Sequence, residues 1–174
     1  MIPIISVVGK SDSGKTNFLE VIIPKLKEEG LRVGTIKHDV HGFDIDKPGK
    51  DTWRHKQAGA DLVLISSPFK ISLIKDVDKD NELDELMEKY IDDVDLILTE
   101  GYKSGDKAKI EIFRPAKHNE QLCDPEVDEI LTTVINEEQE TDSQYFSEKE
   151  VERVAKVILA YYNKLVNCII KCTD

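Results

Sequence analysis

The chain has 174 residues, of which 40% are hydrophobic and 34% are charged, and its formal net charge at pH 7 is −11. This length predicts one domain with a short appendage, with a core that needs no disulfides, and three cysteines do not make a disulfide framework. A chain with this negative charge is not expected to have the basic face that nucleic-acid binding requires. No apolar run approaches the ~18 residues of a membrane span. We expect no signal peptide before the first strand. We therefore expect a cytoplasmic protein that binds neither nucleic acid nor membranes.

Residues 9–16 form a complete G-x-x-x-x-G-K-[ST] motif, which is the pattern of a phosphate-binding loop. An apolar, β-branched strand is predicted before it at 2–8, and a helix with a regular apolar face follows it. In this context the N–H groups of the loop can surround the phosphates of a nucleotide, Lys15 can neutralise the β- and γ-phosphate charge, and the Thr16 hydroxyl can ligate Mg²⁺. The alternative is a turn of glycine and serine with no ligand. The residues assigned to nucleotide binding are Gly9, Lys10, Ser11, Asp12, Ser13, Gly14, Lys15, Thr16 and Asn17.

Helices and strands are predicted to alternate after the loop. The first helix begins at Ser13 or Lys15 and ends at Glu29, with Gly30 as its stop and Pro24 expected to kink or split it. The later elements are a strand at 31–37, a polar loop from His38 to about Gln57 with a short helix at 52–57, a hairpin-like pair at 60–66 and 71–75, a helix at 82–91, strands at 94–99, 110–113 and 129–135, and a last helix that a capping box opens at Ser147. This order predicts an α/β, three-layer P-loop NTPase-like fold with a mainly parallel sheet, in which 1–167 form the nucleotide-binding domain and 168–174 a short C-terminal tail.

A nucleotide-bound Mg²⁺ needs a second acidic group, which usually closes a buried strand beside the first strand. Asp95 opens the strand at 94–99 and Glu100 closes it. Because the phosphate loop lies at the C-terminal edge of a parallel sheet, Glu100 is the better candidate, and Asp95 would lie about 16 Å away along the strand. A loop carboxylate in a turn with Gly101 is the alternative for Glu100. Asp39, which follows the second strand, could reach Mg²⁺ through a water molecule.

Further polar residues are predicted at the same edge. His38 and His41 are candidate metal ligands, but no third ligand stands at a suitable spacing, so substrate contacts or plain exposure are the alternatives. Arg54 and Lys103 are the cations best placed to meet a second anionic ligand. Asn136 follows the last strand, where a base-reading residue could stand, but the residues after it do not complete Asn-Lys-x-Asp. The residues alone therefore leave GTP and ATP undecided.

Several segments of the first 115 residues form a more specific pattern. They are the loop at 9–16, residues 35–38 with His41, the run Phe-Asp-Ile-Asp-Lys-Pro-Gly-Lys-Asp-Thr-Trp-Arg at 43–54, Ala-Gly-Ala at 58–60, Glu-Gly-Tyr-Lys at 100–103, and Lys-Ile-Glu-Ile at 109–112 with Arg114. In this order they resemble the molybdopterin-guanine dinucleotide biosynthesis protein B family. Beyond residue 115 the resemblance is limited to the last strand and helix.

The resemblance implies a homodimeric, GTP-binding accessory protein, or adaptor, of molybdenum cofactor maturation. It would hydrolyse GTP weakly with Mg²⁺, and it would assist a separate nucleotidyltransferase that joins GMP to molybdopterin. Lys15 and Glu100 are then the catalytic residues, and the metal-site candidates are Thr16, Glu100 and Asp39. The candidate contacts to the pterin or its phosphate are Lys37, His38, His41, Arg54 and Lys103.

Two other functions stay open from the residues. The first is a P-loop kinase or ligase acting on a small anionic substrate, which the scarcity of arginines disfavours because a kinase lid carries several of them. The second is a nucleotide-gated metal-insertion protein, for which His38 and His41 are the only support.

Overall fold

The computed structural model describes residues 2–137 and 146–173. Its elements are β1 (Ile4–Val8), α1 (Lys15–Glu28), β2 (Val33–Lys37), α2 (Asp51–Gln57), β3 (Leu62–Ser67), β4 (Lys70–Lys75), α3 (Leu83–Tyr90), β5 (Leu96–Glu100), β6 (Ala108–Phe113), β7 (Ile130–Ile135) and α4 (Glu148–Thr173). Every predicted element is present. The chain separates into two compact units, the first made of the residues up to His38 and from Ile91 onward, and the second of Asp39–Tyr90.

The first unit is built on a five-stranded sheet in the order β2-β5-β1-β6-β7. All four neighbouring pairs run parallel, so the carboxyl ends of the five strands lie at one edge. The predicted α/β fold with its parallel sheet is therefore confirmed. The order places β1, which leads into the phosphate loop, between β5 and β6, so both neighbours deliver their C-terminal residues beside the loop.

One face of this sheet supplies most of the core of the first unit. Because side chains alternate along a strand, every second residue points to this face, where helices α1 and α4 cover it. Each such buried aliphatic or aromatic side chain stabilises the fold by about 1.5–3 kcal/mol. The fully buried members include Ile5, Val7, Leu96, Leu98, Ile110, Ile112, Phe18, Ile22, Leu26 and Ile158. The packing fixes α1, and with it the phosphate loop, against the sheet.

Helix α1 contains Pro24 but is a single helix from Lys15 to Glu28, so the expectation that proline could split it is wrong. Pro24 and Glu20 are both exposed, and water can therefore satisfy the carbonyl that loses its N–H partner to proline. The predicted stop at Gly30 is confirmed. Its φ of +88° is left-handed, and its N–H donates to the carbonyl of Lys27 at 3.0 Å, which closes the last turn.

Helix α4 begins at the predicted cap, where the N–H of Glu150 donates to Ser147 Oγ at 3.2 Å. The carboxylate of Glu150 pairs with Arg153 in the same helix. The helix continues past residue 168, at which the short tail was predicted to start, and reaches Thr173. The division into one domain and a tail stays a prediction.

The second unit contains α2, the β3–β4 hairpin and α3. The hairpin strands pair antiparallel from Leu62 with Lys75 to Ser67 with Lys70, as the sequence predicted. Ser67 Oγ accepts the N–H groups of Phe69 and Lys70 and so fixes the turn. Within residues 2–137 and 146–173, no helix is long and apolar enough to cross a membrane.

Candidate functional site

The two motif glycines of the phosphate loop sit where no side chain fits. A Cβ on Gly9 would lie 2.5 Å from the carbonyl oxygen of Ile112 and 2.6 Å from Ser13 Oγ. Gly14 has φ +99°, and a Cβ there would lie 2.5 Å from Asn136 Nδ2. The loop is therefore pressed against the ends of β6 and β7, which explains why the motif demands glycine at both positions.

Lys15 folds back over the loop that precedes it. Its Nζ donates to the carbonyl oxygens of Gly9, at 3.1 Å, and Lys10, at 3.0 Å. Burial lowers the pKa of Lys15 below its usual value, and the carboxylates of Glu100 and Asp12 oppose that shift. An ammonium group that has lost water in this way gains strongly from an anion, so the position suits the β- and γ-phosphates assigned to it.

Thr16 and Glu100 meet at the edge of the sheet. Thr16 Oγ1 donates to the two carboxylate oxygens of Glu100 at 3.2 and 3.1 Å, and Lys37 Nζ lies 3.5 Å from Glu100 Oε1. The strand register explains this, because Glu100 of β5 stands opposite Val7 on one side and Lys37 on the other. A hydroxyl and a carboxylate are ligands that Mg²⁺ prefers, and such a pair leaves the other positions to water and phosphate oxygens. The residues present therefore fit the predicted metal.

Asp95, the rejected alternative to Glu100, lies at the opposite end of β5. Its carboxylate accepts the backbone N–H of Arg32 at 2.7 Å and pairs with the Arg32 guanidinium, whose NH2 is 3.0 Å from Asp95 Oδ1. The hydrogen bond from Arg32 lowers the pKa of Asp95. Asp95 thus ties the start of β5 to the start of β2 and is separated from the loop by the length of its strand.

The side chain of Asn136 is hydrogen-bonded to the backbone of the phosphate loop. Its Nδ2 donates to the carbonyl of Ser13 at 2.8 Å, and the residue is 1% exposed. Among residues 2–137 and 146–173, its Oδ1 has no hydrogen-bond partner. The sequence placed Asn136 where a base-reading residue could stand. In the structure its amide donates to the Ser13 carbonyl of the phosphate loop. Because the side chain is buried, it does not present its amide group to a nucleotide base.

His38 and Tyr102 form a stacked pair beyond the end of β5. Their ring centroids are 4.8 Å apart, with 30° between the ring planes. Gly101 allows the approach, because its φ is +107° and a Cβ there would lie 3.3 Å from His38 Cβ. Lys103 follows in an exposed turn. The sequence analysis did not single out Tyr102 as a site residue, although an aromatic residue just past a strand's carboxyl end is a usable signal.

Asp39, His41 and Arg54 belong to the second unit and are exposed. Asp39 Oδ1 accepts the N–H of His41 at 3.0 Å, and Arg54 NH1 lies 4.0 Å from an oxygen of Asp51. Their assignment to the metal or the pterin stays a prediction, as does that of Asn17, a half-buried residue of the first turn of α1. In the part of the chain that the structure describes, no three His, Cys, Asp or Glu residues are grouped to hold a metal ion.

A segment that the sequence analysis did not connect to the site contacts the first half of the phosphate loop. It follows β6 and comprises residues 114–120, which we call the brace. Its contacts with the loop are Arg114 NH1 to Asp12 O, the His118 ring to Ser11 O, Lys117 to the Asp12 carboxylate, and Glu120 to Lys10. Because β6 neighbours β1, the rule that strand ends meet at one edge places the start of the brace near the loop, but it does not predict that the brace turns back over the loop.

Comparison with known proteins gives one consistent family. The family model of molybdopterin guanine dinucleotide synthesis protein B, MobB, matches residues 4–137. The molybdopterin-guanine dinucleotide biosynthesis adapter protein of Haemophilus influenzae is 33% identical over 90% of this chain and 88% of its own, and that of Escherichia coli is 39% identical over 66% and 67%. A crystal structure of molybdopterin-guanine biosynthesis protein B, 34% identical, covers 92% of this chain and 99% of its own with a TM-score of 0.65. The Bacillus subtilis MobB structure, 26% identical, covers 90% and 98% with a TM-score of 0.68.

Proposed function

Because the chain belongs to the MobB family of molybdopterin guanine dinucleotide synthesis proteins, we propose that it acts as a GTP-binding adapter protein in that biosynthesis. The adapter presents GTP and molybdopterin to a separate nucleotidyltransferase, which joins GMP to the pterin. The observation that carries the nucleotide part of this proposal is the Thr16–Glu100 contact beside the phosphate loop. We place the protein in the cytoplasm, where cells keep their GTP.

In this proposal Thr16 and Glu100 would hold Mg²⁺, which would supply positive charge beside the β- and γ-phosphates. The hydrogen bond from Thr16 to Glu100 and the ion pair of Glu100 with Lys37 bring these side chains together where the metal would be held. Lys15 neutralises the same phosphates from the loop. Hydrolysis is weak, and Lys15 and Glu100 carry it by stabilising charge and holding the metal.

A second anionic or planar ligand fits the same edge. Lys37 ends β2, His38 follows it, and Lys103 lies shortly after β5. The ring of His38 stacks on that of Tyr102. We assign this group to molybdopterin, whose phosphate and flat ring system match a cation and an aromatic pair. His41 and Arg54, which belong to the second unit, stay predicted contacts to the pterin or its phosphate.

The nucleotide part is tested by calorimetric titration of the protein with GTP and with ATP, each with and without Mg²⁺. We expect tighter binding of GTP, no binding by Lys15→Ala, and a Mg²⁺-dependent gain that shrinks about tenfold (about 1.4 kcal/mol) in Glu100→Gln. The control is Asp95→Asn, which removes a carboxylate from the far end of the same strand and should keep the full gain. Preference for ATP, or turnover above about 1 s⁻¹, would instead support the kinase or ligase alternative.

We propose that the adapter is a homodimer joined through the β3–β4 hairpin. The run Leu62–Ile65 is apolar on both faces of its strand, yet only Val63 is buried, and Phe69 at the turn is 97% exposed. In the described residues, β3 and β4 pair only with each other, and two strands alone are marginally stable. A second copy of the same hairpin covers these side chains and continues the strands in a two-fold arrangement.

The dimer is tested by sedimentation velocity of the wild type and of Ile71→Glu, a change in the exposed face of β4. We expect a dimeric wild type and a monomeric variant. Val127→Glu, which alters an exposed apolar residue of the first unit, is the matched control and should remain dimeric. A monomeric wild type, or a dimeric Ile71→Glu, would remove the hairpin from the interface. Co-purification with a nucleotidyltransferase from cell extract tests the partner.

A further inference from the structure

The brace contacts a strained part of the phosphate loop. Asp12 has φ +58°, a left-handed conformation that costs a residue with a side chain roughly 1–2 kcal/mol relative to glycine. Many turns place glycine at such a position to avoid this cost. Aspartate adopts this conformation more readily than most residues but less readily than glycine, so contacts from the brace can stabilise it.

Two side chains of the brace act on Asp12, and they differ in strength. Arg114 NH1 donates a charged hydrogen bond to the Asp12 carbonyl at 3.1 Å, and Arg114 is only half exposed. Lys117 Nζ lies 3.8 Å from the Asp12 carboxylate, and both of these side chains are exposed. Charged hydrogen bonds to a backbone group are among the stronger ones, whereas exposed ion pairs contribute little.

The brace is fixed at both ends, so it can transmit rigidity to the loop. Before it, β6 pairs with β1 in register up to Val8 and Glu111. After it, the buried carboxylate of Glu111 accepts the N–H groups of Leu122 and Cys123. Arg114 therefore projects from a segment anchored to the same sheet that carries the loop.

We propose that Arg114 is a positioning residue of the phosphate loop, which it holds in its binding conformation by fixing the left-handed Asp12 before any nucleotide arrives. It acts through Asp12 and not by touching the nucleotide. This inference rests on the proposed function only in taking the loop as the nucleotide site.

The first measurement is amide hydrogen exchange of the nucleotide-free protein. Arg114→Gln should speed exchange in peptides that cover residues 9–16, at least several-fold, and leave peptides from β5 and α4 unchanged. Lys117→Gln is the matched control and should change little. Because this experiment needs no nucleotide, it decides the role of the brace even if GTP binding fails. Unchanged exchange of the loop in Arg114→Gln overturns the proposal.

The second measurement is a double-mutant cycle on the affinity for Mg-GTP and Mg-ATP. Arg114→Gln should weaken both about tenfold in the wild-type loop but less than about threefold in an Asp12→Gly background, because glycine needs no help to remain left-handed. Arg114→Lys, which keeps one charged donor, should recover part of the loss. Equal losses in the two backgrounds would show that Arg114 acts by another route. A wild-type protein that binds neither nucleotide would refute the proposed function. The hydrogen-exchange experiment would still test whether Arg114 holds the loop.

Discussion

Replacing Asn136 with aspartate should make the stability of the protein depend on pH. The change keeps the shape of the side chain but removes the donor that bonds to the Ser13 carbonyl at 2.8 Å. An unsatisfied buried carbonyl costs about 1–3 kcal/mol. The introduced carboxyl lies in a position that is 1% exposed, beside an acceptor, so its pKa should rise by about two to three units above an ordinary aspartate.

The direction of the pH dependence follows from that rise. When the native pKa of an acid exceeds the unfolded one, the native state binds more protons between the two values, and stability falls as pH increases through this window. Below the native pKa the protonated carboxyl can donate to the Ser13 carbonyl as the amide does. With about 1.4 kcal/mol for each pKa unit, Asn136→Asp should be less stable at about pH 8 than at about pH 5 by roughly 2 kcal/mol, relative to the wild type.

Urea unfolding followed by circular dichroism at the two pH values measures this difference directly. Asn163→Asp, on an exposed face of α4, is the matched control and should show no such pH dependence. GTP affinity of Asn136→Asp should fall together with stability as pH increases, because the same contact orders the loop. Equal stability of the variant and the wild type at about pH 8 would refute the assignment of Asn136 as a support of Ser13.

Three further outcomes are expected. Gly14→Ala should abolish nucleotide binding, measured by calorimetry, because φ is +99° and the added methyl group would lie 2.5 Å from the side chain that supports Ser13. Burial raises the pKa of the Cys123 thiol to about 12, whereas Cys168 is exposed. Iodoacetamide at about pH 8 should therefore label Cys123 far more slowly than Cys168, which peptide mass spectrometry measures. Equal labelling rates would contradict the buried position of Cys123. Asp95→Asn should lower the free energy of unfolding near neutral pH, and its difference from the wild type should shrink in acid. The hydrogen bond from Arg32 lowers the pKa of Asp95, so this carboxylate stabilises the fold above its unfolded pKa. That stabilisation is lost as the pH falls through the native pKa.

The sequence was sufficient to predict the helices and strands and to bring Thr16 and Glu100 to one edge of the sheet. Buried strands such as β5 are short apolar runs, and their type is decided locally. The choice of Glu100 over Asp95 as the carboxylate beside the loop needed only strand direction, because parallel strands bring like ends together. Thr16 and Glu100 are 84 residues apart, yet their meeting followed from that rule.

Contacts that depend on how segments turn after leaving the sheet were not predictable in the same way. Asn136 stands at the expected edge, but whether its amide faces a ligand or the loop is decided by the close approach of Gly14. Arg114 was part of the family resemblance, yet nothing local in the sequence says that the chain after β6 turns back over Asp12. The continuity of α1 through Pro24 likewise depends on which side of the helix faces water.

Lys15 Nζ donates hydrogen bonds to two carbonyl oxygens of its own loop. A phosphate group that binds here must therefore replace these oxygens as the hydrogen-bond partner of the Lys15 ammonium. Its affinity reflects the difference in free energy between the two sets of hydrogen bonds. A triphosphate carries enough negative charge to replace these hydrogen bonds, whereas inorganic phosphate carries less and should bind weakly at Lys15.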